Sequence, residues 1–424
     1  MSLTSSLYIG MSGMRTNEGA IGVIGNNIAN LNTIGFKSSR AVFADLLSQS
    51  VLGTAGMSQQ GLGAAVASVQ RLVQQGALLG TNITTDLAVN GDGLFMVENP
   101  NGDRFYTRNG QFQVDKEGFM TTVDGLRLQG FPADDNGVLG TGLGDLQVQN
   151  ASAQPSPTQN VTMAVNLDSN APVAPTPPFD PLDPGATASF QTTTTVFDSL
   201  GNAHQLDVFF YNDGGGNWEW HAFSPTGELD GSTSTVPQEV ANGTMAFDGA
   251  GNLLGPTTTA ATMTYFGADP QTVNFDFGDP TTPGPDSTSN SGISAVFSSD
   301  QDGFGPGALS FIEIETTGEI RGTFTNGQQR LLGQVALARF DAPAELNAIG
   351  QNLFTETFAS GQPAIGAPGS GGRGELFADS LEQSNVDLTN EFTQLILAQR
   401  GFQAASRTIT TADQMLAEVV NLKQ

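Results

Sequence analysis

The chain has 424 residues and a formal net charge of −27, with 38% hydrophobic residues, only 13% charged ones and no cysteine. That length accommodates about two to four domains with cores of their own. The acidic balance excludes a basic nucleic-acid footprint, and the missing cysteine excludes disulfides, thiolate metal sites and a Cys nucleophile.

Residues 1–25 contain no basic stretch followed by a long apolar core and a small-residue cleavage site, so no cleaved export signal is expected. No run of apolar residues is long enough to span a membrane. The first proline is Pro100 and the last is Pro368, which leaves both ends free to form long helices. Leu7, Met14, Ile21 and Ile28 recur every seven residues, and Leu3, Ile24 and Leu31 lie on a second such track through Gly10 and Asn17. Tracks offset by four and three form a heptad seam. Gly35 suits the left-handed position that closes a helix.

Asn26, Asn27, Asn30 and Asn32 crowd the end of this helix. Amides donate and accept without charge, so they either make lateral contacts to neighbouring helices or cap the helix end. Glycines at 10, 13, 19, 22 and 25 each cost a lone helix up to ~1 kcal/mol. They also permit close backbone approach. The ends are therefore expected to be loose in a monomer and ordered in an assembly, the bland alternative being a private pair of helices within one chain.

Residues 31–70 connect this helix to a β region, and Phe43 and Leu47 there read as one face of a short amphipathic helix. "FYTRNGQFQVDKEGFMTTVDGLRLQGF" (105–131) has hairpin signals at Asn109-Gly110, Glu117-Gly118 and Asp124-Gly125. Between Arg127 and Arg321 there is no Lys or Arg, and "APVAPTPPFDPLDPG" and "DFGDPTTPGPDSTSNSG" break the same region into loops. "HQLDVFFYN" and "NWEWHAF" flank "DGGG" as a hairpin. "LSFIEIETTGEIRGTF" and "QVALARF" read as strands that share a sheet with residues 71–149 if the middle is an insertion.

The last segment repeats the helical seam: Leu388, Leu395, Phe402, Ile409 and Leu416 are spaced by seven. Its companion track, Phe392, Gln399, Ser406, Asp413 and Val420, is apolar only at its ends. Ser384, Asn385 and Asp387 are the capping candidates.

Chemistry-bearing motifs are sparse. The only histidines are His204 and His221, and there is no HExxH, GxSxG or P-loop. Asp300 and Asp302 sit like two calcium-loop ligands, but the remaining oxygens are missing. Trp218, Trp220 and Phe223 form either a sugar platform or, as alternating aromatics on a strand more often do, a domain core. No catalytic, cofactor or metal site is expected.

"SLYIGMSGM", "IGNNIANLNTIGFKSSRAVFADLL", "DLAVNGDGLFMV", "FYTRNGQFQVDKEGFM" and "LEQSNVDLTNEFTQLILAQRGFQAASRTITTADQML" resemble the flagellar axial (rod and hook) proteins of bacteria, most of all the hook proteins. The resemblance covers about the first 150 and last 110 residues. It implies a mostly β, nested multi-domain fold with long terminal helices. Residues 1–34 with 384–424 would form a helical coiled-coil inner domain, and 35–70 with 360–383 connecting segments. Residues 71–149 with 306–359 would form a discontinuous β domain, with 150–305 as an inserted acidic outer β domain.

The implied function is a structural subunit that polymerises helically into the flexible hook tube and transmits torque from rod to filament. The implied inter-subunit packing residues are Leu7, Met14, Ile21, Ile28, Leu31, Leu388, Phe392, Leu395, Phe402, Ile409, Leu416 and Val420, with lateral amide contacts from the four asparagines. Phe43 and Leu47 match a Phe-x-x-x-aliphatic export element. The implied partners are further copies, the hook cap, distal rod and hook–filament junction proteins, and the flagellar type III export apparatus, with an extracellular location. The other readings are a distal rod-type subunit, or a secreted acidic adhesin or glycan-binding protein.

Overall fold

The computed structural model describes residues 3–46, 49–53, 56–148, 152–174, 180, 183–230, 236–281 and 284–421. It is mostly β, with one long helix near each end. The chain divides into two compact units. The terminal unit is Met1–Ala151 with Phe311–Thr323 and Gln329–Gln424, and the middle unit is Ser152–Ser310 with Phe324–Gln328.

In the terminal unit, α1 (Leu3–Ala29) and α2 (Leu388–Asn421) run antiparallel, in contact from Gly10 beside Ile409 to Asn27 beside Glu391. Asp387 caps α2, its Oδ1 accepting from Thr389 N at 2.9 Å and Asn390 N at 3.2 Å. A cap of this kind contributes about 1 kcal/mol. The α2 side of the seam comprises Leu395, Ala398, Ala405, Ile409, Ala412 and Leu416. One track keeps Leu395, Ile409 and Leu416 of the expected series, without the exposed Leu388 and Phe402; the other runs through the alanines, one residue before Gln399, Ser406 and Asp413. Small side chains let the backbones close up. A Cβ on Gly10 would lie 2.7 Å from Ile409 Cγ1, and one on Gly401 would lie 2.6 Å from Asn17 Oδ1.

The segment after α1 is not a short helix. Ser39–Asp45 is a strand, paired antiparallel with Ala64–Arg71 through a bulge between Val42 and Phe43. Strands from the two halves of the sequence then interleave. Leu78–Gly80 pairs with Ser380–Glu382 and Leu87–Asn90 with Glu375–Ala378. Leu94–Glu98 pairs with Leu337–Arg339, Arg104–Thr107 with Leu353–Thr355, and Arg127–Pro132 with Gln329–Val335. Phe112–Val114, Met120–Thr122 and Arg127–Pro132 follow one another as hairpins, with Gly118 at φ +89° and Gly125 at φ +81° in the turns. Asn109-Gly110 is not a hairpin turn. The strands on either side do not pair, and a Cβ on Gly110 would lie 1.6 Å from Leu87 O, so this glycine serves close backbone approach.

The middle unit has two four-stranded sheets. Phe190–Phe197, Ala203–Gly214, Asn217–Ser224 and Gln238–Ala246 form an antiparallel meander. The second sheet has the order Thr259–Met263, Gln271–Asp276, Asn160–Asn166, Ala295–Gln301, with the central pair parallel. Val208, Phe210, Trp218 and Trp220 from the first sheet and Val161, Met163, Val273 and Phe275 from the second share one core. Trp218 and Trp220 are both fully buried, so they form a core and no sugar platform. The hairpin at "DGGG" turns on Gly214, Gly215 and Gly216, all at positive φ, where a side chain would be strained.

One turn recurs in both units. Asp115, Asp134, Asp198 and Asp248 each accept, through Oδ1, the backbone N–H groups two and four residues on, and a glycine at positive φ sits three residues on. These four aspartates thus serve turn chemistry. Asp302 acts in a related way, taking Gln159 N at 2.8 Å and Asn160 N at 2.9 Å. Among the described residues no group of three or more His, Asp or Glu has metal-binding geometry.

Candidate assembly interface

Both helices are tied to the β part of the terminal unit at one end by buried polar groups. Asn27, 1% exposed, accepts Ser39 N at 2.9 Å, donates to Ser39 O at 2.7 Å and donates to Glu391 Oε1 at 3.1 Å. It thereby fastens α1 to the first strand and to α2 together. Burial pushes the Glu391 carboxyl up, against the hydrogen bond from Asn27. Asn385, just before α2, accepts Ser38 N at 2.7 Å and donates to Leu72 O and Gln74 O, both at 3.0 Å.

Below these lies an ion cluster. Glu382, 1% exposed, receives Lys37 Nζ at 2.6 Å, Gly76 N at 2.8 Å and Arg108 Nε. The Arg108 guanidinium also donates to Gly93 O, to Val89 O at 2.7 Å and to Gly91 O at 2.7 Å. Burial would raise the Glu382 carboxyl, but the Arg108 and Lys37 charges and hydrogen bonds outweigh it and hold it below the usual range. Lys37 follows α1, Glu382 precedes α2 and Arg108 directly follows the strand Arg104–Thr107, so the three fix both helix entries to one frame.

The other three asparagines divide their roles. Asn30 donates to Asn26 O at 2.9 Å and accepts from Thr33 Oγ1 at 3.1 Å, which closes the end of α1, while Asn26 and Asn32 are exposed. Gly35, at φ +70°, lies beyond the helix end, packed against the Arg108–Asn109 backbone.

The seam residues fall into two sets. Leu7, Met14, Ile21, Ile28, Leu31, Leu395, Ile409 and Leu416 are half-buried, and Ile21, Ile28 and Leu395 pack around Ala20, Ile24 and Ala398. Leu388, Phe392, Phe402 and Val420 are exposed, as are Ile396 (51%) and Leu397 (63%), which the heptad spacing did not single out. The α2 helix thus carries apolar side chains beyond the seam with α1. Phe43 is 51% exposed on its strand, and Leu47 lies outside the described residues. No helix among the described residues is long and apolar enough to cross a membrane.

Comparisons with known proteins agree along the whole chain. Family models match in order: "Flagella basal body rod protein" over residues 7–37, "Flagellar hook protein FlgE/F/G D1 domain" over 88–170, "Flagellar basal body protein FlaE D2 domain" over 166–304, and "Flagellar basal body rod FlgEFG protein C-terminal" over 378–422. The chain is 36% identical over 456 residues to the flagellar hook protein of Borreliella burgdorferi, covering 99% of each. It is 33% identical over 417 residues to that of Escherichia coli K12, covering 97% of this chain and 98% of the relative. The crystal structure of the Helicobacter pylori flagellar hook protein FlgE2 shares the fold, with a TM-score of 0.50 at 16% identity, covering 72% of this chain and 100% of that one.

Proposed function

The chain belongs to the flagellar hook protein family, and on that premise we propose that it polymerises helically into the flexible hook tube, as a structural subunit that passes torque from rod to filament. The observation that carries this reading is the exposed apolar side of α2, with Phe392, Ile396, Leu397, Phe402 and Val420 left uncovered by the chain's own α1. Such surface, repeated on every copy, is buried when helices pack side by side around an axis.

In this reading residues 1–34 with 384–424 form the inner tube and 35–70 with 360–383 connect it to a discontinuous β domain, 71–149 with 306–359. Residues 150–305 form the outer domain. The half-buried seam residues hold α1 to α2, and Leu388, Phe392, Phe402 and Val420 meet neighbouring copies. Exposed Asn26 and Asn32 make lateral amide contacts, whereas buried Asn27 acts within the subunit. The subunit leaves the cell through the type III export apparatus before folding, with Phe43 and Leu47 as signal residues and no cleaved signal peptide, and functions outside the cell without a catalytic role. It meets the hook cap during assembly, the distal rod below and the hook–filament junction proteins above.

The deciding experiment isolates basal bodies from the source bacterium, locates this chain in them with a specific antibody and images the structure it builds. Short curved tubes attached to rods support the proposal. Straight tubes identify a rod-type subunit instead, and a chain found only as a soluble monomer ends the reading.

A further inference from the structure

Every Lys and Arg of the chain, 15 in all, lies outside the middle unit, because none occurs between Arg127 and Arg321. The middle unit therefore carries its carboxylates with no Lys or Arg to balance them. Against that background, four cations, Lys37, Arg71, Arg108 and Arg339, line one half-open cavity of about 260 Å³ in the terminal unit, with Phe340 and Phe354 in its wall.

Lys37 and Arg108 share the Glu382 carboxylate. Neither Arg71 nor Arg339 has a carboxylate within ion-pair distance among the described residues, although the exposed side chains of Asp92 and Asp341 stand at the same cavity. Among the described residues the Arg71 side chain makes a single hydrogen bond, from Nη1 to Leu346 O at 3.1 Å, and its guanidinium lies over the Phe354 ring at 4.5 Å from the centroid. Burial lowers its proton affinity, so this cation is partly stripped of water without an anion in return. A guanidinium has a planar fork of donors matched to a carboxylate.

We propose that this cavity receives an acidic side chain from the middle unit of a second copy of the chain. The occupant follows from charge complementarity: a surface without Lys or Arg meets two unpaired arginines, and in a polymer the two are brought together at high local concentration. Contact of one patch with a different patch on the next copy is heterologous, the kind that propagates an open helix rather than closing a dimer. Head-on burial of an aliphatic carboxylate stem against Phe340 and Phe354 accompanies the ion pair. The pairing also sets a direction for salt: it weakens as ionic strength rises, unlike the apolar helix contacts.

This inference rests on the hook-subunit reading, and the test separates the two. Arg71→Lys and Arg339→Lys keep the charge and place an amine in the cavity. A water-soluble carbodiimide joins an amine to a carboxylate in contact with it, forming an amide as water is lost and the carbodiimide becomes a urea. Isolated hooks built from each variant are treated, digested with trypsin and analysed by mass spectrometry, using mixed isotopically labelled and unlabelled subunits. The expected product joins the variant site to a carboxylate within residues 152–310 of another chain. It is readily recognised, since that region lies within a single tryptic peptide, 128–321, and it should be absent from dilute monomer. A link to the same chain's Asp92 or Asp341 alone, a link to another segment of the neighbour, or no link overturns the proposal. So does failure of the Lys variants to assemble when the wild-type chain does, because the charge is unchanged. Failure of the wild-type chain to form hooks would instead sink the functional reading.

Discussion

Replacing Glu382 tests whether the buried ion cluster holds the terminal unit together. Glu382→Gln keeps the shape and removes the charge, leaving Lys37 and Arg108 side chains, 8% and 5% exposed, without their anion. Removing one partner of a buried pair costs about 3–5 kcal/mol. The low end applies here, because Lys37 keeps Gln74 O at 2.7 Å and Arg108 keeps its three carbonyl acceptors. The expected loss is thus ~3 kcal/mol, about a 150-fold change in the unfolding constant. Both tryptophans lie in the middle unit, so two probes separate the units. In urea, the helical circular dichroism transition should move to lower denaturant, while the tryptophan fluorescence transition stays put.

The pH dependence has a definite sign. A carboxyl held below its unfolded value contributes stability that is present above about pH 4 and is lost as pH falls through the lower folded value. The wild-type terminal unit should therefore lose stability in acid more steeply than the Gln variant. A helical transition displaced by under ~1 kcal/mol, or a tryptophan transition that moves with it, would refute the assigned role.

Leu395→Asp places a carboxylate beside Ile24 and Ala398, at a cost of several kcal/mol in every subunit; tube formation should be abolished and the tryptophan transition unchanged, and tubes of normal length would count against the seam. Limited trypsin on the monomer should cut at exposed Arg400 and Arg407 well before Lys37, whose amine is buried against Glu382; protection of both arginines in dilute monomer would show that the helices need no neighbours to become rigid. In Asp198→Ala the turn amides of Leu200 and Asn202 lose their acceptor and His204 loses one of its two carboxylates, costing about 1–3 kcal/mol in the tryptophan transition; an unmoved transition would show that the turn contributes nothing to the middle unit.

The amino-acid sequence by itself determined the helical ends, because seven-residue apolar spacing and the absence of proline have few other solutions. It also determined that residues 128–320 lack cations, and it located turns at Gly118, Gly125 and "DGGG", where positive φ selects glycine. The blocks at both ends were enough to point to the flagellar axial group.

What only the tertiary structure decided is which faces meet. Alanine is apolar enough for a core and small enough for a surface, so the Ala398, Ala405 and Ala412 track could not be told from its polar neighbours until α1 was seen to lie against it. The Phe43 segment fits a helix by spacing, and pairing with Ala64–Arg71 decided for the strand. Four asparagines in one stretch look alike in sequence, yet Asn27 is a buried fastener and Asn32 is exposed. The union of Lys37, Arg108 and Glu382 had no local signal, because its members are separated by up to 345 positions. Periodicity is a property of neighbouring residues, whereas a buried charge cluster exists only once distant strands have paired.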